Sequence, residues 1–277
     1  MFNNIKEQFE QQGYLVLENF NTEAACDALM QRAEALANGY DFKGHPAVFQ
    51  TSNQAETSTA YFFNSGSNIS FFFEKDAFDE KGNFKTTVFH SMNKIGHALH
   101  DLDPVFNAFS RSPQMKALAA ALDLQDYVII QSMHILKHAR VGGLVDIHQD
   151  ATFLYTEPES CIGFWFALED ATTENGCLWA KPGGHHTKLR TWFKRKPGGG
   201  AETGVLNDEP FTMEGMLPLE VKKGTCIVLH GLLPHCSMPN TSGRSRQAYA
   251  IHCIDRSAKY PEANWLHRNR DELRGFE

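Results

Sequence analysis

Apolar and polar positions alternate differently in the two halves of the chain. In the first half the period is helical. "FNNIKEQFEQQ" places Phe2, Ile5 and Phe9 three and four residues apart, and Gly13 follows as a stop. "NTEAACDALMQRAEALANGY" carries Cys26, Leu29, Met30, Ala33 and Leu36 on one stripe and ends at Gly39, which predicts an amphipathic helix. "SPQMKALAAALDL" offers Ser112 as N-cap, Pro113 at the first helical position and apolar residues at 115, 118, 119 and 122. Between the first two helices "YLVLENF" predicts a short strand. Residues 40 to 75, rich in Ser, Thr, Asn and Phe, have no helical period and predict strand and loop, with a lid as one use for them.

In the second half the runs shorten. "DYVIIQSMHILK", "DIHQDATFLY", "CIGFWFALED", "NGCLWAK", "GTCIVLHGLL" and "RQAYAIHCID" are β-rich and are separated by Gly, Pro, Asn and Asp clusters. Many short strands in one region imply a sandwich or barrel, and an eight-stranded jelly roll fits. The expected fold is mainly β with flanking helices. A double-stranded β-helix, cupin-like core over about residues 126–256 would lie against a helix-rich 1–125. No repeat or linker divides the chain, so one domain over 1–277 is expected.

Candidate chemistry begins in "VDIHQDATFLY". Val145, Ile147, Phe153 and Tyr155 favour a strand, and residues i and i+2 of a strand share a face. His148 and Asp150 would then project side by side. That is two-thirds of the 2-His-1-carboxylate triad that holds ferrous iron and leaves three positions open. A surface His-x-Asp pair is the plainer alternative. A third ligand could be His230, inside the strand "TCIVLHG", or His235, which follows Pro234 where the chain leaves that strand; the residues alone leave both open. Along "RQAYAIHCID", Arg246, Ala248, Ala250 and His252 share one face. Two alanines beyond an arginine leave a hollow suited to a small dicarboxylate, although an arginine in a surface salt bridge would look the same.

Composition narrows the partners. The 277 residues carry a net charge of −7, which argues against nucleic acid, whose backbone calls for a basic surface. No apolar run approaches the roughly 18 residues that span a bilayer, and the polar N-terminus reads as neither secretory signal nor transit peptide. The six cysteines form no Cys-x-x-Cys pair. They read as reduced thiols of a cytoplasmic protein, with Cys226 and Cys253 packing as small hydrophobes.

The motifs "NKIGHALHDLDPVF", "HQDATFLYTEP", "NGCLWAKPGGH" and "RSRQAY", together with a His-x-Asp, a distal His and an Arg eleven residues after it, resemble the phytanoyl-CoA dioxygenase family of Fe(II)/2-oxoglutarate oxygenases over nearly the whole chain. The eleven-residue interval favours His235 over His230 and Arg246 over Arg244. The resemblance implies Fe(II), 2-oxoglutarate and O2. It implies oxidative decarboxylation to succinate and CO2, coupled to hydroxylation of a small molecule. It makes His148, Asp150 and His235 the catalytic metal ligands and Arg246 the grip on the C5 carboxylate of 2-oxoglutarate. Lys94, Met133, Gln149 and Trp165 would line the same pocket, with Trp165 on the Gly163/Ala167 face of its strand and Phe164, Phe166 and Leu168 turned to the core. The carboxylate of Asp150 favours hydroxylation over halogenation. His185 reads as a turn histidine. A cupin-like binding module is the alternative; it would keep the three ligands without needing Arg246 or Lys94. "TKLRTWFKRKPGGGAETG" clusters Lys188, Arg190, Lys194, Arg195 and Lys196, either as a solvated loop or as a lid over an anionic substrate.

Overall fold

The computed structural model describes residues 4–40, 47–48 and 59–277. Phe2 and most of the 40–58 stretch lie outside these residues. Helix α1 (Ile5–Gln12) buries Ile5 and Phe9 and ends at Gly13, whose φ of 76° is the left-handed conformation expected of a glycine stop. Helix α2 (Glu23–Asn38) is capped by Thr22, which accepts the Ala25 N–H, and buries Cys26, Leu29, Ala33 and Ala37. Helices α3 (Ala60–Asn64), α4 (Leu99–Leu102) and α5 (Pro104–Ser110) were not anticipated. Asp103 caps α5 through the N–H groups of Val105 and Phe106, so the signal was an Asp-Pro pair. Helix α6 (Pro113–Ala121) starts at the Ser112 cap as expected.

Strands are numbered β1 to β14 in chain order. One sheet contains β1 (Tyr14–Leu17), β2 (Ala47–Val48), β3 (Ile69–Phe73), β4 (Met92–His97), β5 (Tyr127–Lys137), β7 (Ile162–Ala167), β12 (Cys226–His230) and β14 (Arg246–Asp255), in the order β1-β12-β7-β14-β5-β4-β3-β2. The second contains β6 (Val145–His148), β8 (Leu178–Ala180), β11 (Leu217–Leu219) and β13 (His235–Ser237), in the order β11-β8-β13-β6. The middle of the large sheet, β12-β7-β14-β5, faces the small one, and these two sets of four strands are the expected jelly roll. The large sheet continues past them into β1, β3 and β4, so strands of the first half extend the core.

Alternation assigns the two faces of the large sheet. Phe164, Phe166, Leu168, Val228, Tyr249, Ile251 and Cys253 point outward into a core shared with α1, α2, α5 and α6. Trp165, Ala167, Ile227, Leu229, Ala248 and Ala250 point inward toward the small sheet. Cys226 and Cys253 are fully buried in the outer core, and all six thiols are free and buried. Strands β9 (Thr191–Arg195) and β10 (Ala201–Val205) form a separate hairpin. Residues 187–204, read as either a solvated loop or a lid, contain most of this hairpin, and the three glycines Gly198, Gly199 and Gly200, all at positive φ, make its turn rather than a long tether. The hairpin is fastened down. Phe193 is buried, Trp192 Nε1 donates to Asn264 Oδ1 at 2.8 Å, and Arg195 donates to the carbonyls of Trp265 and Phe63. Among the described residues no helix is long and apolar enough to cross a membrane.

Candidate metal centre

His148 is the last residue of β6 and His235 the first of β13, and the two stand opposite each other in the antiparallel register. On its other side His235 faces Ala180 of β8, whose small side chain leaves the imidazoles room. Their ring centroids are 4.3 Å apart. Asp150 is not on the same strand, contrary to expectation. β6 stops at His148, and Asp150 opens a 3-10 turn, Asp150–Thr152, because its carbonyl accepts the N–H groups of Phe153 and Leu154. Gln149 between them stays extended (φ −114°, ψ 133°), so the side chains of 148 and 150 still fall on one side. Asp150 Oδ1 lies 3.6 Å from Nε2 of His148 and 3.6 Å from Nε2 of His235. One donor atom from each residue falls within 4.8 Å of the other two.

The second ring nitrogens decide which atoms are free. His148 Nδ1 is 2.8 Å from the Asp146 carbonyl and His235 Nδ1 is 2.9 Å from the Leu233 carbonyl. A carbonyl only accepts, so both Nδ1 atoms carry a proton and both Nε2 atoms are the ones turned toward Asp150, each offering a lone pair when its ring is neutral. Burial pushes His235 down to about 4, against the attraction of Asp150, which keeps it a neutral donor. Burial alone would raise the Asp150 carboxyl; His235, His252 and His148 reverse that and hold it well below the ordinary range. His252 is the neighbour that sequence reasoning left without a role. Its Nε2 sits 3.3 Å from Asp150 Oδ2, although the N–H is not aimed well enough to count as a hydrogen bond. Gly163 lets them meet: a Cβ there would lie 3.0 Å from Asp150 Oδ2 and 3.4 Å from the His252 ring.

A cavity of about 420 Å³ extends from these residues between the sheets. Arg246, Ala250 and His252 line it and Ala248 shares their face, as the alternation anticipated, the four being paired with Lys137, Met133, Gln131 and Ile135 of β5 respectively. Arg246 is 1% exposed, donates Nε to the Gly176 carbonyl and Nη2 to Ser237 Oγ, and sits over the Trp165 ring at 5.4 Å. Its Nη1 is buried without a partner. Burial pulls the guanidinium down to about 10. Such a group is completed by an arriving anion. Lys94, Met133 and Trp165 line the cavity. Lys94 is buried, and burial holds it well below its ordinary range despite nearby Glu74.

Four residues weighed in the sequence lie elsewhere. Gln149 does not line the cavity, which corrects that expectation. Being next to His148 on an extended segment, it points to the opposite side. There Nε2 donates to the carbonyls of Leu232 (2.8 Å) and Lys188 (3.3 Å), and Oε1 accepts the Arg190 N–H at 2.9 Å. His230 alternates with Cys226 and Val228 and so faces the outer side of its sheet, against Phe9 and His185. His185 bonds the Glu10 carbonyl at 3.0 Å, a structural contact. Arg244 is exposed in the loop before β14. At the Arg246 end two further cavity residues were missed. Ser237 lies two residues past His235 and meets Arg246. Lys137 ends the inward row of β5; its ammonium donates to the carbonyls of Gly143 and Met238, and burial followed by Arg246 pushes it down to about 7.

The sequence model of the phytanoyl-CoA dioxygenase (PhyH) family matches residues 9–248. A phytanoyl-CoA dioxygenase of Arabidopsis thaliana is 41% identical over 264 residues, covering 94% of this chain and 91% of the relative. Phytanoyl-CoA dioxygenase domain-containing protein 1 of Mus musculus is 42% identical over 268 residues, covering 94% and 92%. Solved structures share the fold at lower identity. The epimerase SnoN in complex with Fe3+, alpha ketoglutarate and nogalamycin RO superposes at TM-score 0.63 with 15% identity, over 95% of this chain and 86% of that one. EvdO2 from Micromonospora carbonacea, complexed with 2-oxoglutarate, superposes at 0.60 with 17% identity, over 97% and 95%. Two imidazoles and a carboxylate converge at one end of an inter-sheet cavity and a buried arginine waits at the other, and with relatives this similar along nearly their whole length, the chain belongs to the phytanoyl-CoA dioxygenase family.

Proposed function

We propose that the protein is an Fe(II)- and 2-oxoglutarate-dependent dioxygenase that hydroxylates a small molecule. One observation carries the reading. Three donor atoms suited to Fe(II) meet within 4.8 Å, and the cavity they open into ends at a buried guanidinium with an unpartnered Nη1. His148, Asp150 and His235 would hold the metal, and this donor set is the facial triad that leaves three positions for other ligands. The chemistry supplied by bound iron is oxidative decarboxylation of 2-oxoglutarate to succinate and CO2, with transfer of a hydroxyl to the substrate. Arg246 would take the distal carboxylate of 2-oxoglutarate, with Ser237 fixing the guanidinium plane. Lys94, Met133 and Trp165 would form the walls, and Ala248 and Ala250 leave the space between. Burial keeps water from competing for these groups. The retained carboxylate at 150 supports hydroxylation over halogenation. Six buried free thiols support a reducing compartment such as the cytoplasm.

The test is spectroscopic. Anaerobic protein loaded with Fe(II) should develop a visible metal-to-ligand charge-transfer band on adding 2-oxoglutarate, at one equivalent, and aerobic samples should release succinate. Asp150→Ala should show neither. Absence of the band from protein that has bound iron would overturn the assignment.

A further inference from the structure

Beside the three candidate ligands the cavity carries a second set of polar groups, remote from Arg246. The strand register separates that set from Arg246. Arg246 pairs with Lys137; Ala248 with Ile135, which pairs with Lys94; Ala250 with Met133, which pairs with Gly96; His252 with Gln131. The buried cations Arg246 and Lys137 therefore stand at one end, with Lys94 one inward pair further along. The other end, level with Gly163 and Asp150, holds His252 and Gln131, and His97 follows Gly96 on β4. The aromatic wall there is Trp265, with Phe62 stacked on it at 4.3 Å and His97 edge-on at 5.2 Å. His97, Gln131 and Trp265 are all buried, and all line the cavity.

The hydrogen-bonding capacity of this end can be read from its partners. Ser65 Oγ donates its one proton to the Phe62 carbonyl at 2.6 Å and lies 2.7 Å from His97 Nδ1. The proton of that second contact must come from Nδ1, so His97 Nε2 is a lone-pair acceptor. Burial holds this imidazole well below its ordinary range, so it stays neutral. Trp265 Nε1–H is a buried donor with no partner. Gln131 carries both a donor and an acceptor. A buried donor without a partner costs free energy until a ligand supplies one. Of the cations nearest this end among the described residues, Arg195 is spent on the carbonyls of Trp265 and Phe63, and burial holds Lys94 well below its ordinary range, so an anion buried here would be poorly compensated.

Resting on the dioxygenase reading, we propose that the His97–Gln131–Trp265 end of the cavity is the subsite for the molecule to be oxidised. It takes a neutral planar group bearing both a donor and an acceptor, an amide or lactam, and not a carboxylate or phosphate. This reverses the sequence-based expectation of an anionic substrate, which rested on the basic residues of the hairpin; the structure spends Arg195 on carbonyls and Lys194 on Glu202.

Three probes of one shape separate the possibilities: benzamide, benzoate and benzamidine, titrated by calorimetry into protein loaded with Fe(II) and 2-oxoglutarate under argon. The charge-transfer band is recorded in each sample, so that a missing band reports failure of the dioxygenase reading and not of this one. With the band present, benzamide should bind at least about tenfold tighter than either charged probe. Trp265→Phe removes the donor and keeps a ring; Gln131→Leu removes the amide. Each should weaken benzamide by about fivefold, the worth of one neutral hydrogen bond. Benzoate binding as tightly as benzamide would overturn the proposal. So would no benzamide binding to the loaded protein, or unchanged benzamide affinity in both folded variants.

Discussion

Replacing Arg246 with methionine should abolish the stabilisation that 2-oxoglutarate confers while leaving the protein folded. Methionine is similar in length and can still pack on Trp165. The Gly176 carbonyl keeps a partner, because it also accepts from Ser237 Oγ at 2.8 Å. What disappears is a charge-assisted contact at a fully buried site. Such contacts cost roughly 2–5 kcal/mol when one member is removed, or roughly 30- to several-thousand-fold in affinity. The assay is anaerobic thermal unfolding with Fe(II), with and without 2-oxoglutarate at a hundred times its dissociation constant for the unsubstituted protein. That concentration stabilises by about 2.7 kcal/mol, which for a domain of this size raises Tm by roughly 5–10 °C. In Arg246→Met the same concentration is at most a few times the new dissociation constant, and the shift should fall to about 3 °C or less. Arg244→Met, altering an exposed side chain in the preceding loop, should keep the full shift. A full shift in Arg246→Met, or its loss in Arg244→Met alone, would refute the placement of the cosubstrate.

Three further outcomes follow from the site. His235→Ala should lose stoichiometric Fe(II) binding while His230→Ala keeps it, since His230 packs against Phe9 outside the cavity; a metal-binding assay giving the reverse would reassign the ligand. Gly163→Ala should weaken metal binding by roughly 10- to 100-fold, the range typical for disturbing a ligand's supporting contacts, because the new Cβ lies 3.0 Å from Asp150 Oδ2. Chelator competition checks this, and unchanged affinity would show that the carboxylate can move freely. Glu159→Gln should make stability less dependent on pH. Burial raises this carboxyl to about 7, and its Oε2 has no partner. An acid raised on folding is harmless while protonated in both states, and stability declines as pH rises from its unfolded value through about 7. The gap from the ordinary 4.5 corresponds to no more than roughly 3 kcal/mol at pH 8. Urea unfolding should therefore favour the variant at pH 8 and not at pH 4; an equal advantage at both would exclude ionisation as the cause.

Alternation made much of this legible. The strand "RQAYAIHCID" was read with the correct inward row, and β14 spans those ten residues. The Trp165 face followed from Phe164 and Phe166, because large aromatics on one side and Gly163 and Ala167 on the other leave little doubt about which side is hollow. The choice between His230 and His235 was present in the same pattern: a histidine in step with Cys226 and Val228 faces the outer core. Other features depend on contacts between distant segments. The end of β6 at His148 is set by a turn that also bonds Gly231, some eighty residues on. Gln149 looked like a cavity residue because it lies between two ligands, yet neighbours on an extended chain point to opposite sides. His252 shared a face with Arg246 but gained a role only when Gly163 brought Asp150 beside it. The buried subsite around Trp265 was invisible, since its walls come from residues 62, 97, 131 and 265, which no local pattern connects.

Gln149 holds three backbone groups on the side away from the candidate metal centre, and so binds the segment carrying His148 and Asp150 to Leu232, three residues before His235. The candidate ligands are therefore held in place by the chain before any ion arrives. A pocket so prearranged cannot use folding energy to reject the wrong metal. Cobalt, nickel, copper and zinc bind two imidazoles and a carboxylate at least as well as ferrous iron does, in the general order of divalent affinities. The identity of the resident ion then depends on which metals the surroundings keep free and in what amounts. Protein purified in the presence of a competing divalent metal would be well folded and silent, with the inactivity reporting its history of metal exposure and not a defect in the chain.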